Sequence, residues 1–314
     1  MPVWDMRKRK DGAFLASASP ETPLTLHLPN RTNRKAAADF FDSSDPKLSS
    51  SFEMMCILEL IEDQMLRRLV IGTVGTLLLT GCGAAVYYWD EVRKARADTA
   101  ALVQLAGQKY GRQVTIKDVP PHRIDILLKI EDPMFRKHRG VDLATPGAGM
   151  TTITQGLVKL LYFPGGFQQG IAKIRQTLIA EYALDDLVSK DKQIELYLNM
   201  TYFGTVADKP IHGLAAAAEA YFRKSYVELT DDEFIALIGM TISPETLKPG
   251  TAASITRVAR IKRFLDGEVS PASVLDFEYV GKQRGSVPEE VLMAFLRLVT
   301  HADPAAHGRA LGVQ

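Results

Sequence analysis

Two adjacent carboxylates, Glu131 and Asp132, stand in the stretch IEDPMFRKHRGVD beside Pro133 and three basic side chains, Arg136, Lys137 and Arg139. A carboxyl group partly removed from water holds its proton more tightly, so one that stays ionised near neutral pH is a good proton acceptor. The same residues have a plainer reading, a helix-terminal acid paired with Arg136 or Lys137, and from this stretch alone both stand.

The element that must carry the pair is a helix. Ile124, Leu127 and Leu128 recur at helical spacing, and the next position on that face is Glu131. Pro133 drives Asp132 away from helical torsions, so the helix is expected to stop beside Glu131 and present it at a rim.

The 314 residues are 46% hydrophobic and 24% charged, enough for one large globular domain with appendages. A net charge of +1 gives no basic stripe for nucleic acid, and Cys56 and Cys82 are too few for a disulfide framework or a zinc site.

A long apolar run, LVIGTVGTLLLTGCGAAVYYW from Leu69 to Trp89, is long enough to cross a bilayer and is favoured over a buried core helix. Arg67 and Arg68 precede it, and Tyr87, Tyr88 and Trp89 close it as interfacial aromatics would. A second reading takes MLRRLVIGTVGTLLLTGC from Met65 as a lipoprotein signal with Cys82 lipidated. Either way the expected organisation is a disordered cytoplasmic tail or over-extended start at 1–64, an anchor at 65–90, a mainly helical domain at 98–250 and a helical extension at 251–314. PEEVLMAFLRLV reads as a helix in that extension.

EDPMFRKHRGVD is followed in order by GMTTITQGLVKLLYF, SKDKQIELYLNMTYFG, GLAAAAEAYFRKS and LTDDEFIALIGMTISP. This series, from about Pro120 to Pro249, resembles the peptidoglycan glycosyltransferases of glycosyltransferase family 51. The resemblance implies a mainly α, lysozyme-like domain with a membrane-adjacent jaw, on the outer face of a bacterial cytoplasmic membrane. It implies inverting transfer: a sugar 4-hydroxyl attacks C1 of a chain whose leaving group is undecaprenyl diphosphate. Lipid II and the nascent glycan strand are the implied ligands, the bilayer and cell-wall synthesis proteins the implied partners.

By the same resemblance Glu131 is the general base, Asp132 the neighbouring acid that positions its loop, and His138, Gly140 and Asp142 complete that block. Thr151, Thr152, Thr154 and Gln155 match the segment lining the donor side, although hydroxyls beside Gly147 and Gly149 also read as a helix cap. Lys159, Lys173, Arg175 and Lys190 are the basic groups expected toward the donor phosphates. Met150 and Gly156 depart from the family's usual glycine and glutamine.

The largest departure is Thr177, which falls where the family carries a second glutamate that assists at the diphosphate, directly or through an ion such as Mg2+ or Mn2+. Glu181, four residues on and on nearly the same helix face, is a candidate substitute acid or the partner of a neighbouring base. Asp185 matches a family acidic position and reads as structural. Glu233, three residues after Thr230, reads as a capping box. LLYFPGGFQQGIAKI is expected as a mobile hairpin with an apolar tip.

The roughly 65 residues after Pro249 are too few for a transpeptidase domain. S-x-x-K at Ser44–Lys47 and Ser189–Lys192 has no following K-T-G, so penicillin binding is not expected. Three functions compete: the glycosyltransferase, an impaired homologue that binds lipid II or glycan as a scaffold or regulator, and glycan cleavage by a lone glutamate.

Overall fold

The computed structural model describes residues 4–8, 14–18, 46–149, 151–168, 170–279 and 287–300, with side chains from 64 onward except at 287–290 and 299. The chain divides into two compact units, Met1–Leu79 and Thr80–Gln314.

In the first unit, strands β1 (Trp4–Lys8) and β2 (Phe14–Ala18) pair antiparallel, Trp4 opposite Ala18. Regular structure therefore replaces the expected structureless tail at these strands, and again where helix α1 (Pro46–Tyr110) begins.

Within α1 the stretch from Gln64 is long and apolar enough to cross a membrane by length and composition. The large aliphatic side chains of the run from Leu69 are exposed, Leu79 to 77%. The helix does not end with the apolar run. Asp90 bridges to Arg93 at 2.6 Å and to Lys94 at 2.8 Å, pairs at helical spacing that carry the same rod onward. Ala95, Thr99 and Ala106 are then buried in the domain, and Gly111, at φ 77°, follows the last helical residue in the left-handed conformation common beyond helix ends.

The second unit is mainly helical. Helices α2 (Pro121–Glu131), α3 (Ile153–Tyr162) and α4 (Ala172–Ile179) are followed by a π turn (Ala180–Leu184) and the short α5 (Asp185–Leu187). Helices α6 (Lys190–Met200), α7 (Leu214–Phe222), α8 (Asp231–Met240) and α9 (Ala252–Leu265) complete the body. Leu127, Leu157, Ile194, Phe234 and Ile261 meet in one core, so α9 shares the core that the expected boundary at 250 would have divided. Helix α10 (Val287–Val299) matches the helix read in PEEVLMAFLRLV.

Capping explains several starts. Thr230 and Glu233 form the expected capping box, and Thr152 with Gln155 forms a second. A ribbon of β3 (Tyr202–Val206) and β4 (Lys209–His212), turning at Ala207 and Asp208 with φ 47° and 60°, was not legible from the helical blocks around it. Between α3 and α4 the expected hairpin contains no described strand; it is a loop in which the rings of Phe163 and Phe167 meet edge to face at 5.2 Å.

Gly140 joins the first block to the π turn. Its φ is 78°, and a Cβ there would stand 2.5 Å from the carbonyl oxygen of Ala180, which accepts the N–H of Asp185. Gly140→Ala is expected to lower stability by about 2 kcal/mol or more, because left-handed backbone alone costs a residue with a Cβ about 1–2 kcal/mol. Thermal unfolding checks this, and an unchanged midpoint would contradict the contact.

Candidate active site

Glu131 is the last residue of α2, and the N–H of Asp132 closes the helix on the carbonyl of Leu128 at 2.8 Å. The Pro133 effect is realised: Asp132 lies at φ −163° and ψ 77°. The two oxygens of Glu131 have different donors. Tyr197 donates to Oε2 at 2.9 Å from α6, and Thr241 donates to Oε1 at 2.9 Å from the end of α8. Arg136, the plainer partner considered for Glu131, instead reaches Asp191 at 2.9 Å.

Glu131 is half-buried. Burial pushes its carboxyl above the ordinary value, while the hydroxyls of Tyr197 and Thr241 and the charge of Arg257 oppose that shift. Burial, then the charge of Glu131, holds the Tyr197 phenol well above its ordinary value, so it remains a donor. Thr241 also points its hydroxyl at the carbonyl of Ile238 at 2.8 Å, so one proton serves two acceptors. The result is a carboxylate more basic than an exposed glutamate, oriented at both oxygens.

Asp132 is fully buried and structural in its contacts. Oδ1 lies 2.8 Å from Nε2 of His138, and Oδ2 accepts the Ile153 N–H at 3.0 Å in the first turn of α3. An anion at a helix N-terminus is favourably placed. Asp142 accepts the N–H groups of Ala144 and Thr145 at 3.0 and 2.9 Å, forming the turn that leaves this block.

The second block's buried polar side chains are engaged within the protein. Thr152 caps α3 and donates to the carbonyl of Gly140 at 2.7 Å. Thr154 donates to Gln193 at 2.7 Å, and Gln155 donates to Thr177 at 3.0 Å; all four residues are buried. Inward-facing polar groups in a packed helix need partners, and these have found them inside the protein. Met150 lies outside the described residues. Gly156 lies in α3 with open space at its Cα.

The basic residues separate into two groups. Lys159 and Lys173 lie within electrostatic reach of one another. Lys159, over the ring of Phe167 at 5.0 Å, is held below the ordinary lysine value by burial. Lys173 is only 7% exposed and donates to Thr151 at 3.3 Å. Burial, then the charge of Lys159, brings it down to about 7. Two cations sharing a poorly hydrated place form a site that an anion would relieve.

Arg175 and Lys190 do not join that pair. Arg175 lies 2.6 Å from Glu91 on α1 and over the ring of Phe163 at 4.9 Å, the consequence of standing two residues from Lys173 on a helix. Lys190 donates to Asp185 at 2.6 Å and sits over Phe135 at 4.4 Å, and Gln193 donates to the same Asp185 oxygen at 3.0 Å. Asp185 is the structural anchor expected of it.

Thr177 is wholly buried, donating to the carbonyl of Lys173 at 2.8 Å while accepting from Gln155. Glu181 is 2% exposed in the π turn, in keeping with one inward face for both residues. After burial, the charge and hydrogen bond of Glu181 hold the Tyr182 hydroxyl above its ordinary value. Among the described residues no group of three or more His, Cys, Asp or Glu side chains gathers where a metal ion could be held. Mg2+ is commonly held by one or two carboxylates together with substrate phosphates, an arrangement that does not require such a group.

Reasoning from sequence missed Tyr197 and Thr241 as partners of Glu131. The blocks containing them were visible, but nothing in either block announces a carboxylate on the other side.

A family model described as Transglycosylase matches residues 98–266 of the chain. Similar curated proteins include penicillin-binding protein 1A of Haemophilus influenzae, 28% identical over 236 residues, which are 69% of this chain and 26% of that protein. Penicillin-binding protein 1A of Escherichia coli is 30% identical over 161 residues, 47% of this chain and 18% of that one. Penicillin-binding protein 1F of Bacillus subtilis is 30% identical over 149 residues, 43% and 20% respectively. The chain thus spans about a quarter or less of the length of these relatives.

Proposed function

This chain belongs to the transglycosylase family of peptidoglycan glycosyltransferases, with its lysozyme-like helical domain, and on that premise we propose that it lengthens glycan strands from lipid II at a bacterial cytoplasmic membrane. The observation that carries the reading is Glu131, raised by burial and held at both oxygens by Tyr197 and Thr241.

In the proposed reaction the acceptor's 4-hydroxyl attacks C1 of the lipid-linked chain, and Glu131 takes the hydroxyl proton as the new glycosidic bond forms. The bond from C1 to the diphosphate breaks with inversion, and undecaprenyl diphosphate leaves with the electron pair. Lys159 and Lys173 neutralise the charge developing on that group. Asp132, His138 and the capped start of α3 hold the two halves of the site together.

The apolar stretch of α1 is proposed to anchor the chain, with the domain at 98–266 outside the cytoplasm; lipidation at Cys82, an exposed free thiol, is the alternative anchor. Cell-wall synthesis proteins are the proposed partners.

The test is polymerisation of labelled lipid II by the purified full chain in detergent. Glycan strands support the reading. A second reading is favoured by one observation, the buried Thr177 in place of the family's second glutamate: a chain that binds lipid II or glycan as a scaffold. Folded protein that binds lipid II without making strands would support the scaffold, and shortened glycan products would point to cleavage.

Two variants probe the site further. Tyr197→Phe removes a hydrogen bond that favours ionised Glu131, so the Glu131 pKa rises further and the acid limb of kcat/KM is expected to move to higher pH. An unmoved limb would separate Glu131 from the rate. Glu181→Gln is expected to slow polymerisation about 10²-fold if the carboxylate stands in for the absent glutamate; an unchanged rate removes Glu181 from the site.

A further inference from the structure

The second unit carries a groove of about 980 Å³ whose lining includes none of Glu131, Asp132, Lys159 and Lys173. One wall is a stripe of α1, where Gly81, Ala84 and Ala85 leave room and Tyr88, Trp89 and Val92 continue at helical spacing. Ile174 and Leu178 of α4 form the facing wall, and Phe295 of α10 lines it as well. These α4 residues are each one position past Lys173 and Thr177, about 100° around the helix, so groove and candidate site use different faces of α4. Trp89 is 74% exposed, and the volume lies at the upper end of the roughly 300–1,000 Å³ of small-molecule sites.

The polar groups of this groove are predominantly cationic: Arg93, Arg96 and Arg139 against Asp186. Arg93 is paired with Asp90 and Arg96 with Asp186, each at 2.6 Å. Arg139 is exposed, lies near enough to Tyr182 for its charge to act on that phenol, and has no ion-pair partner among the described residues. An apolar trough ending at an unneutralised guanidinium fits a molecule with an apolar body and an anionic head. A second apolar helix would fill the trough and leave Arg139 without a counter-charge.

We propose that this groove binds one anionic diacyl phospholipid of the bilayer, its acyl chains between the α1 stripe and Ile174–Leu178 and its phosphate at Arg139. The proposal rests on the reading of α1 as the membrane anchor and not on polymerase activity. Occupancy would fix α4, the helix that carries Lys173, against the anchor.

The test is native mass spectrometry of the full chain released from detergent containing limiting phosphatidylglycerol, phosphatidylcholine or undecaprenyl phosphate. One phosphatidylglycerol is expected to remain on the wild type in preference to the other two. Arg139→Glu is expected to weaken that retention at least about fivefold, the scale of one basic charge at an anionic membrane surface. Leu178→Trp, filling the groove, is expected to remove it with the circular dichroism unchanged. Glu131→Gln should retain the lipid as the wild type does, which separates this result from the fate of the polymerase reading. Equal retention of phosphatidylcholine, or retention unchanged in both groove variants, would overturn the proposal. Preferential retention of undecaprenyl phosphate would also overturn it by giving the groove to the substrate tail, and a lipid-free dimer would give it to a second copy.

Discussion

Glu131→Gln is expected to abolish strand synthesis from lipid II, by about 10²- to 10⁴-fold, the usual contribution of a positioned general base. Glutamine keeps the length and planarity of the side chain but cannot take the acceptor's proton. It also presents one oxygen where Glu131 presents two, so one of the donors Tyr197 and Thr241 meets an amide NH2 instead of a carboxylate oxygen.

The stability response should run the other way. Because burial raises the folded-state pKa of Glu131, the folded chain holds a proton more tightly than the unfolded chain. The associated stability is complete below the unfolded pKa and is lost as pH rises through the folded one. At neutral pH the wild type therefore carries the cost of a desolvated carboxylate, and Glu131→Gln is expected to melt no lower than wild type while making no strands. A gel assay with labelled lipid II beside thermal unfolding reads both quantities. A variant that keeps a tenth of the wild-type rate would dismiss Glu131 as the base.

Lys173 gives the second large effect. Its pKa of about 7, set by burial and then by Lys159, predicts an alkaline limb in kcat/KM near neutrality, as the free enzyme loses the charge that meets the donor diphosphate. Lys173→Arg stays charged and is expected to carry activity past that limb. Lys173→Met is expected to lose about 10²-fold, the size of one electrostatic contact to developing charge. A limb unmoved in Lys173→Arg would show that another group titrates there.

The sign for stability follows from the depressed value. Between about pH 7 and the ordinary lysine value, the unfolded chain binds a proton that the folded chain does not, so the contribution of this group to stability rises with pH through that window. Below it the buried ammonium is at its most costly. Lys173→Met should therefore stabilise most in mild acid and converge on wild type as pH approaches the unfolded lysine pKa. Together with the acid limb of Glu131, these effects predict a bell-shaped profile whose two sides respond to different variants.

The sequence by itself determined what is local. Pro133 ended the helix at Glu131, Thr230 and Glu233 started another, and the run from Leu69 to Trp89 formed part of a helix long and apolar enough to cross a membrane. Each depends on residues within a turn or two of one another, where torsion limits, caps and apolar periodicity act directly. The ordered blocks likewise identified the family, because their residue types and order are written in the chain.

Tertiary structure alone decided which of those residues face one another. Tyr197 and Thr241 reach Glu131 across separations of 66 and 110 residues, and packing of α2, α6 and α8 brings them there. The same packing turned Thr152, Thr154 and Gln155 into internal supports, sent Arg175 to Glu91, and left the buried Lys173 beside the half-buried Lys159. Helical spacing tells which face a side chain occupies, but its partner, and hence its charge, depends on which distant element is packed against that face.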